Sequence, residues 1–582
     1  MIKKLAAHIR QYKKQAIATP LFMIGEVSME TVIPLVMSWL IDRGITPGNL
    51  NQIWLYGLIL LGTAMISLFS GVMSGRMAAV SSAGVARNLR HDMYYMIQDY
   101  SFSNIDRFST SSIITRLTTD VTNVQNAFQM ILRMAVRAPM TLIFSMIMAL
   151  TINARISMVF LFTLPVLGCG IYFIMTRTHP IFRRVFKTYD KLNNVVQENL
   201  HGIRVVKSFV REDYEENKFN TTSASIYSDF VKAERQLAFM TPLMMTCIFT
   251  CTLLISWLGA KAVVASGNNP DLGMTTGQLM SLITYVIQIL SSLMMVSFVF
   301  LMITMSRASA QRIVEVLDEK SDITSPDHAV TSVKDGAVDF DHVCFRYSSH
   351  SERDTLSDID LHIPSGAMVG VLGGTGAGKS TLVQLIPRLY DPTSGVVRVG
   401  GVDTREYDLT ALREDVAMVL QKNELFSGTV RDNLRWGNEQ ATDAELEEAC
   451  RLAQADPFIQ EMPDKYDTWI EQGGTNVSGG QKQRLCIARA LLKKPKILIL
   501  DDSTSAVDTR TDALIRAGFR SYIPDTTKII IAQRVSSGMD ADMIIVLDNG
   551  AVVDTGTHEE LLSRCEIYRE VYESQTKGGG EE

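Results

Sequence analysis

Apolar residues are distributed in two different ways along the chain, and the change falls near residue 310. Before it lie apolar stretches at 16–40, 54–74, 135–152, 156–175, 241–264 and 279–305. Each is close to the ~20 mostly apolar residues that a bilayer-spanning helix needs. The connections between them alternate in character. Segments 43–53 and 265–275 are short and nearly free of Lys and Arg, whereas 76–133 and 177–235 are long, polar and rich in both. That bias predicts the long connections, and both termini, on the cytoplasmic side. Each long connection reads as helical extensions that carry the spans well beyond the bilayer, broken only at a short turn.

After the last span the helical pattern continues over 307–317, and a polar linker runs to about residue 330. Short apolar runs of strand type follow. Residues 338–347 read as a strand pair ending in an aromatic, and 369–372, the region of Val396 and 416–421 read as further strands. Residues 442–466 are predominantly helical, and 496–502 form a continuous apolar strand ending in two carboxylates. Buried runs alternating with helices predict a parallel α/β sheet with ligands at the strand C-termini. The expected organisation is a six-helix transmembrane domain over 1–310, a linker over 311–330 and an α/β domain over 331–582.

Composition supports this division. The 582 residues are too many for one domain, and 47% hydrophobic residues coexist with 20% charged ones. The net charge of -6 gives no hint of a nucleic-acid partner. Cysteines stand at 169, 247, 251, 344, 450, 486 and 565 without metal-ligand spacing, and their odd number fits a reduced compartment. Cys247 and Cys251 share a helix face, where packing is the expected role. Lys3, Lys4, Arg10, Lys13 and Lys14 predict a basic interfacial helix before the first span. Glu26 and Glu30 lie inside that span, one turn apart. Carboxylates in hydrocarbon are costly, so they are expected to face the bundle or water. Two readings stand: contact with a substrate, for which cations are the natural class, or a structural hydrogen bond to a neighbouring helix. The methionines of the spans read mainly as gap filling.

The strongest local chemistry is Val369-Gly-Val-Leu-Gly-Gly-Thr-Gly-Ala-Gly-Lys-Ser-Thr-Leu382. A strand leads into G-x-x-x-x-G-K-[ST], and a helix follows, which is the nucleotide phosphate loop in its required context. Its glycines let the backbone curl round an anion with successive N–H groups pointing inward. The candidate ATP cradle is Gly373, Gly374, Thr375, Gly376, Ala377, Gly378, Lys379, Ser380 and Thr381. Lys379 is expected on the β- and γ-phosphates and the Ser380 hydroxyl on Mg²⁺.

With Asn476-Val-Ser-Gly-Gly-Gln481 the pattern closes: the C-terminal half resembles the ATPase domain of ATP-binding-cassette transporters, and the spans resemble an exporter half. The resemblance covers essentially the whole chain, with the motifs in family order. It implies two ATPase domains stacked head to tail, with two ATP molecules at their interface. Tyr347 would stack on adenine, Gln421 would sense Mg²⁺, and Asp501 would anchor the metal's water shell. Ser478, Gly479, Gly480 and Gln481 would cap the γ-phosphate of the ATP held by the partner. Residues 505–508 would cross the interface, and segments near 104–106 and 211–214 would couple the membrane domain to the ATPase domains.

Two positions depart from the family pattern. Where the family places a catalytic glutamate this chain has Asp502, and where it places a histidine this chain has Gln533. A displaced general base costs roughly 10²–10⁴-fold in rate, whereas ATP binding needs neither residue. The pattern resembles the degenerate-site subunit of a bacterial heterodimeric multidrug-type exporter. The expectation is therefore ATP-driven export of a drug-like or lipid-like substrate across the cell membrane, with hydrolysis mainly at the partner's composite site. The alternatives are a homodimeric exporter with slow ATPase and an ATP-gated channel or sensor on the same fold. Because the spans share the chain with the cassette, a soluble DNA-repair ATPase is excluded and an importer energiser disfavoured.

Overall fold

The computed structural model describes residues 1–269, 273–348, 353–502, 507–532 and 534–577. They form two compact units: Met1–Gln98 with Thr110–Glu319, and Asp99–Ser109 with Lys320–Glu582.

The first unit is helical. Among the described residues, helices long and apolar enough to span a bilayer run over Arg10–Ile45, Leu50–Gln98, Thr110–Ile152, Ala154–His201, Glu212–Ser266 and Thr276–Asp318. Each contains one predicted span and extends well beyond it, because the polar flanks remain good helix formers. Hydrocarbon offers no backbone partners, so the peptide groups pair within each helix. Side chains such as Leu58, Leu61, Phe69, Leu161 and Phe162 point outward, as lipid-facing residues do. Inside, Phe160, Cys247, Cys251, Ile255, Tyr285 and Ile289 pack together, so Cys247 and Cys251 serve packing as expected, while Cys169 is exposed. Helices are pinned to one another by hydroxyls reaching carbonyls, as Tyr285 Oη does at Thr31 O, 2.7 Å. The N-terminal segment begins with a short Ile2–Ala7 helix. It is tied down by Asp92, which accepts from His8 Nδ1 at 2.5 Å and from Arg10 at 3.1 Å. Tyr12 lies where any side chain at Gly84 would stand.

The second unit contains the strands β1 Val338–Phe345, β2 Leu356–Ile363, β3 Met368–Gly373, β4 Ser394–Val399, β5 Val402–Asp403 and β6 Val416–Val419. They are followed by β7 Gly428–Thr429, β8 Trp469–Ile470, β9 Ile497–Asp501, β10 Thr527–Ile531, β11 Met543–Asp548 and β12 Ala551–Gly556. The main sheet has the order β12-β11-β3-β10-β9-β6. It is parallel throughout except for β12, which runs antiparallel to β11. A second, antiparallel sheet has the order β2-β1-β4-β5. The strand pair expected over 338–347 is instead the single strand β1, whose antiparallel partner β2 lies further along the chain. β1 carries a bulge at Asp341-His342, with His342 at φ 48°.

β3, β9 and β10 are buried almost without interruption and are rich in Ile, Leu and Val, because both faces of the sheet are covered. The Val430–Arg435, Asp443–Leu452 and Asp456–Glu461 helices build a separate helical layer with Gly479–Leu492, packed around Leu446, Ile459, Leu485 and Ile487. In register, Ile531 of β10 lies between Val371 of β3 and Asp501 of β9. The turn after β3, the two carboxylates ending β9 and the residues after β10 therefore share one edge of the sheet.

Candidate ATP site

The phosphate loop springs from the end of β3. A Cβ at Gly373 would stand 2.2 Å from Leu547 O of the adjacent strand, so only glycine fits that close approach. Gly376 and Gly378 hold φ 83° and 92°, the left-handed region that glycine occupies freely. The short Lys379–Gln384 helix follows. Lys379 folds back over the loop, donating from Nζ to Gly373 O at 2.9 Å and Gly374 O at 2.8 Å. Burial lowers its pKa from the ordinary lysine value, opposed by Asp502 and Asp501. Gly374, Thr375 and Gly376 are exposed, while Ala377, Gly378 and Thr381 are buried beneath them.

Ser380 Oγ donates to Asp501 Oδ1 at 2.9 Å. Asp501 is only 3% exposed, and burial pushes its carboxyl above the usual range, with Ser380 and Lys379 pulling the other way. Asp502 follows at φ 49°, its N–H donating to Ile531 O at 3.2 Å. Gln421, just past β6, donates from Nε2 to Asp502 Oδ2 at 3.5 Å. These oxygens suit a hard cation. Mg²⁺ retains several waters and takes one or two protein oxygens alongside substrate phosphates. A hydroxyl hydrogen-bonded to a buried carboxylate fits that need, and among the described residues no His, Cys, Asp and Glu cluster competes with it. Gln533 lies outside the described residues, as do residues 505 and 506 of the expected interface crossing.

Tyr347 stands just beyond β1, half-exposed, its hydroxyl 3.0 Å from Thr381 Oγ1. Its ring meets the edges of Phe345 and Tyr390, with centroids 4.9 and 5.2 Å away.

The Ser478–Gln481 stretch lies elsewhere on the unit. Ser478 caps the Gly479–Leu492 helix: its Oγ accepts from Gln481 N–H at 3.3 Å, and its own N–H donates to Gln481 Oε1 at 2.9 Å. This cap leaves Ser478 and Gly479 exposed. With Gly480, Arg484, Val507 and Asp508 they line an open cavity of about 370 Å³.

In the membrane unit, Glu26 and Glu30 share one cation that sequence reasoning missed. Arg137 donates from its two terminal nitrogens to Glu26 Oε1 and Glu30 Oε2, each at 2.6 Å. The helix-to-helix hydrogen bond that was one of the two readings is therefore present. A lone arginine inside an apolar stretch was the available signal. Glu26 Oε2 is buried without a partner, and Glu30 is the more open of the two. Gly71 makes the space, since a Cβ there would press on the Glu26 carboxylate at 3.1 Å.

Residues 17–311 match the family described as ABC transporter transmembrane region, and residues 356–505 match the ABC transporter family. An uncharacterised ABC transporter ATP-binding protein of Bacillus subtilis (strain 168), YfiB, is 35% identical over the full length of both chains. An ATP-dependent lipid A-core flippase of Albidiferax ferrireducens is 30% identical over 97% of this chain and 96% of that protein. The fold is that of a bacterial Atm1-family ABC exporter solved with ATP bound, with a TM-score of 0.80 over 97% of this chain and 98% of that one, at 24% identity. Apolar spanning helices, a phosphate loop at the edge of a parallel sheet and matches to both domain families lead to one conclusion: the chain is a multi-pass, ATP-hydrolysing membrane transporter of the ABC family.

Proposed function

We propose that this chain is one half of a heterodimeric exporter whose own nucleotide site mainly binds ATP. The observation that carries the reading is the combination of Asp502 at the end of β9 with an intact, exposed Ser478–Gln481 helix start. ATP would lie with adenine on Tyr347 and its triphosphate in the 373–381 loop. Lys379 would exchange the Gly373 and Gly374 carbonyls for phosphate oxygens. Mg²⁺, held by Ser380 and through water by Asp501 and Gln421, would neutralise phosphate charge. The Asp502 carboxylate is one methylene shorter than the family's glutamate, and Gln533 cannot become cationic. Both changes weaken chemistry at the γ-phosphate while leaving the binding groups in place.

The second ATP would be bound by the partner, and this chain would close over it with Ser478, Gly479, Gly480 and Gln481. The Ser478 hydroxyl and the Gly479 and Gly480 N–H groups at a helix start suit an anion, the Ser478 and Gln481 N–H groups being used in the cap. Hydrolysis would then occur mainly at that composite site. We assign residues 1–310 to the membrane domain, 311–330 to the linker and 331–582 to the ATPase domain. The positive charge of 76–133 and 177–235 supports a cytoplasmic location for the ATPase domain and both termini. The flippase among the relatives supports a lipid-like or amphipathic drug-like substrate. Glu30 and Glu26 would offer its cationic group a carboxylate in excess over Arg137.

The test is turnover of the purified chain with and without a partner half-exporter carrying glutamate and histidine at the two divergent positions. Low activity alone and a large gain on pairing is the expected result. Robust, substrate-stimulated ATPase from this chain as a homodimer contradicts the proposal.

A further inference from the structure

Tyr390 joins two parts of the second unit that lie far apart in sequence. Its hydroxyl donates to Asp106 Oδ2 at 2.6 Å, across a separation of 284 residues. Asp106 belongs to the short Phe102–Arg107 helix, which is held firmly. Ser101 and Asn104 form a capping box at its start. Asn104 Nδ2 donates to Lys320 O at 3.2 Å, Ser103 Oγ donates to Asp322 Oδ2 at 2.8 Å, and Ser101 also bonds Asp322. Phe102 of the same helix meets the Tyr390 ring edge at 6.1 Å.

On its other side the Tyr390 ring stands almost perpendicular to Tyr347, at 88° and 5.2 Å between centroids, and Phe345 closes the cluster at 5.6 Å from Tyr390. Edge-to-face packing of this kind fixes the plane of each ring. Tyr390 is 9% exposed and cannot swing out to solvent, whereas Tyr347 is 51% exposed and offers a face. Burial, reinforced by the Asp106 carboxylate, holds the Tyr390 phenol far above its ordinary pKa, so it keeps its proton and donates. The Tyr347 hydroxyl is meanwhile anchored on Thr381 and Gln384 of the phosphate-loop helix.

We infer that Tyr390 is a positioning residue for nucleotide binding: through Asp106, residues 102–107 set the plane of the Tyr347 ring and so tune affinity for the base of ATP, not for its triphosphate. The inference rests on the proposed role of Tyr347 as the base-stacking residue. Residues 99–109 continue directly into the Leu50–Gln98 and Thr110–Thr115 helices of the membrane unit. A change in those helices would thereby reach the base-binding ring without passing through the phosphate loop.

The test compares two probes on the full-length chain in nanodiscs: Mg-ATP, and Mg-tripolyphosphate, which has phosphates but no base. Tyr390→Phe and Asp106→Ala each remove the hydrogen bond and keep the rings. Each should weaken ATP binding roughly tenfold, equivalent to about 1.4 kcal/mol, and leave tripolyphosphate affinity unchanged. The double variant should be no worse than either single one, because both remove the same bond. Parallel weakening of tripolyphosphate would mean a general structural defect and overturn the inference. Tyr347→Ala separates the two levels. If it weakens ATP and Tyr390→Phe does not, the positioning role falls alone; if it leaves ATP affinity intact, the base-stacking reading falls and takes this inference with it.

Discussion

Replacing Arg137 by methionine removes the one cation that, among the described residues, pairs with Glu26 and Glu30, and leaves two carboxylates on one helix face. Each 2.6 Å contact is a charge-assisted hydrogen bond, worth about 1.5–3 kcal/mol. Breaking a buried ion pair by removing one partner costs about 3–5 kcal/mol, because the remaining charge stays desolvated. Glu26 is 15% exposed but Glu30 is 40% exposed, and solvent screening at Glu30 favours the lower end, about 3 kcal/mol. At about 2–4 °C per kcal/mol for a domain of this order of size, the midpoint should fall by roughly 6–12 °C. The assay is thermal unfolding in nanodiscs followed by tryptophan fluorescence. A triple variant, Glu26→Gln, Glu30→Gln and Arg137→Met, removes every charge and should recover most of the loss. If it also loses stimulation by a cationic amphiphile while retaining basal turnover, the carboxylates serve substrate as well as packing. An Arg137→Met midpoint within 2 °C (~0.5–1 kcal/mol) of the parent would refute the reasoning. So would a triple variant no more stable than the single one.

Two further predictions concern Asp501 and the topology. Burial raises the Asp501 pKa, so its stability contribution is greatest below the unfolded value and is lost as pH rises through the folded one; at neutral pH the buried charge burdens the fold. Asp501→Asn should therefore raise the melting temperature without nucleotide and abolish the further rise given by Mg-ATP, and a variant that still shows that rise contradicts the metal assignment. Single cysteines at 43–53 and 265–275, in a cysteine-free background, should react with an impermeant thiol reagent on intact cells, whereas those at 100–110 and 205–215 should not; the reverse pattern overturns the orientation.

What the sequence made legible is local. The phosphate loop, the Asp501-Asp502 pair and the Ser478–Gln481 cap are contiguous spellings whose spacing already states the backbone geometry. Their shared sheet edge follows from parallel strands ending together. Long-range pairing was not legible: nothing near Tyr390 announces Asp106, and nothing near Glu26 announces Arg137, because such partners are chosen by helix packing. The misread strand pair at 338–347 has a similar cause. A bulge and a turn use the same polar residues, and only the pairing of β1 with β2 distinguishes them.

The central claim is that this chain contributes its Ser478–Gln481 helix start to the working site and its phosphate loop to the weaker one. The most direct measurement is the ATPase rate of the assembled heterodimer at saturating ATP, with Asp502→Asn compared against Ser478→Ala in this chain. Asp502→Asn removes a short carboxylate from a site that mainly binds, so turnover should fall by no more than about threefold (~0.6 kcal/mol). Ser478→Ala strikes a donor where charge develops in the transition state, and should cost roughly 10²–10³-fold. Loss of its helix cap alone, about 1 kcal/mol of stability, cannot account for that rate effect. If Asp502→Asn proves the more damaging of the two, this chain's own site is the hydrolytic one and the assignment of the two sites is reversed.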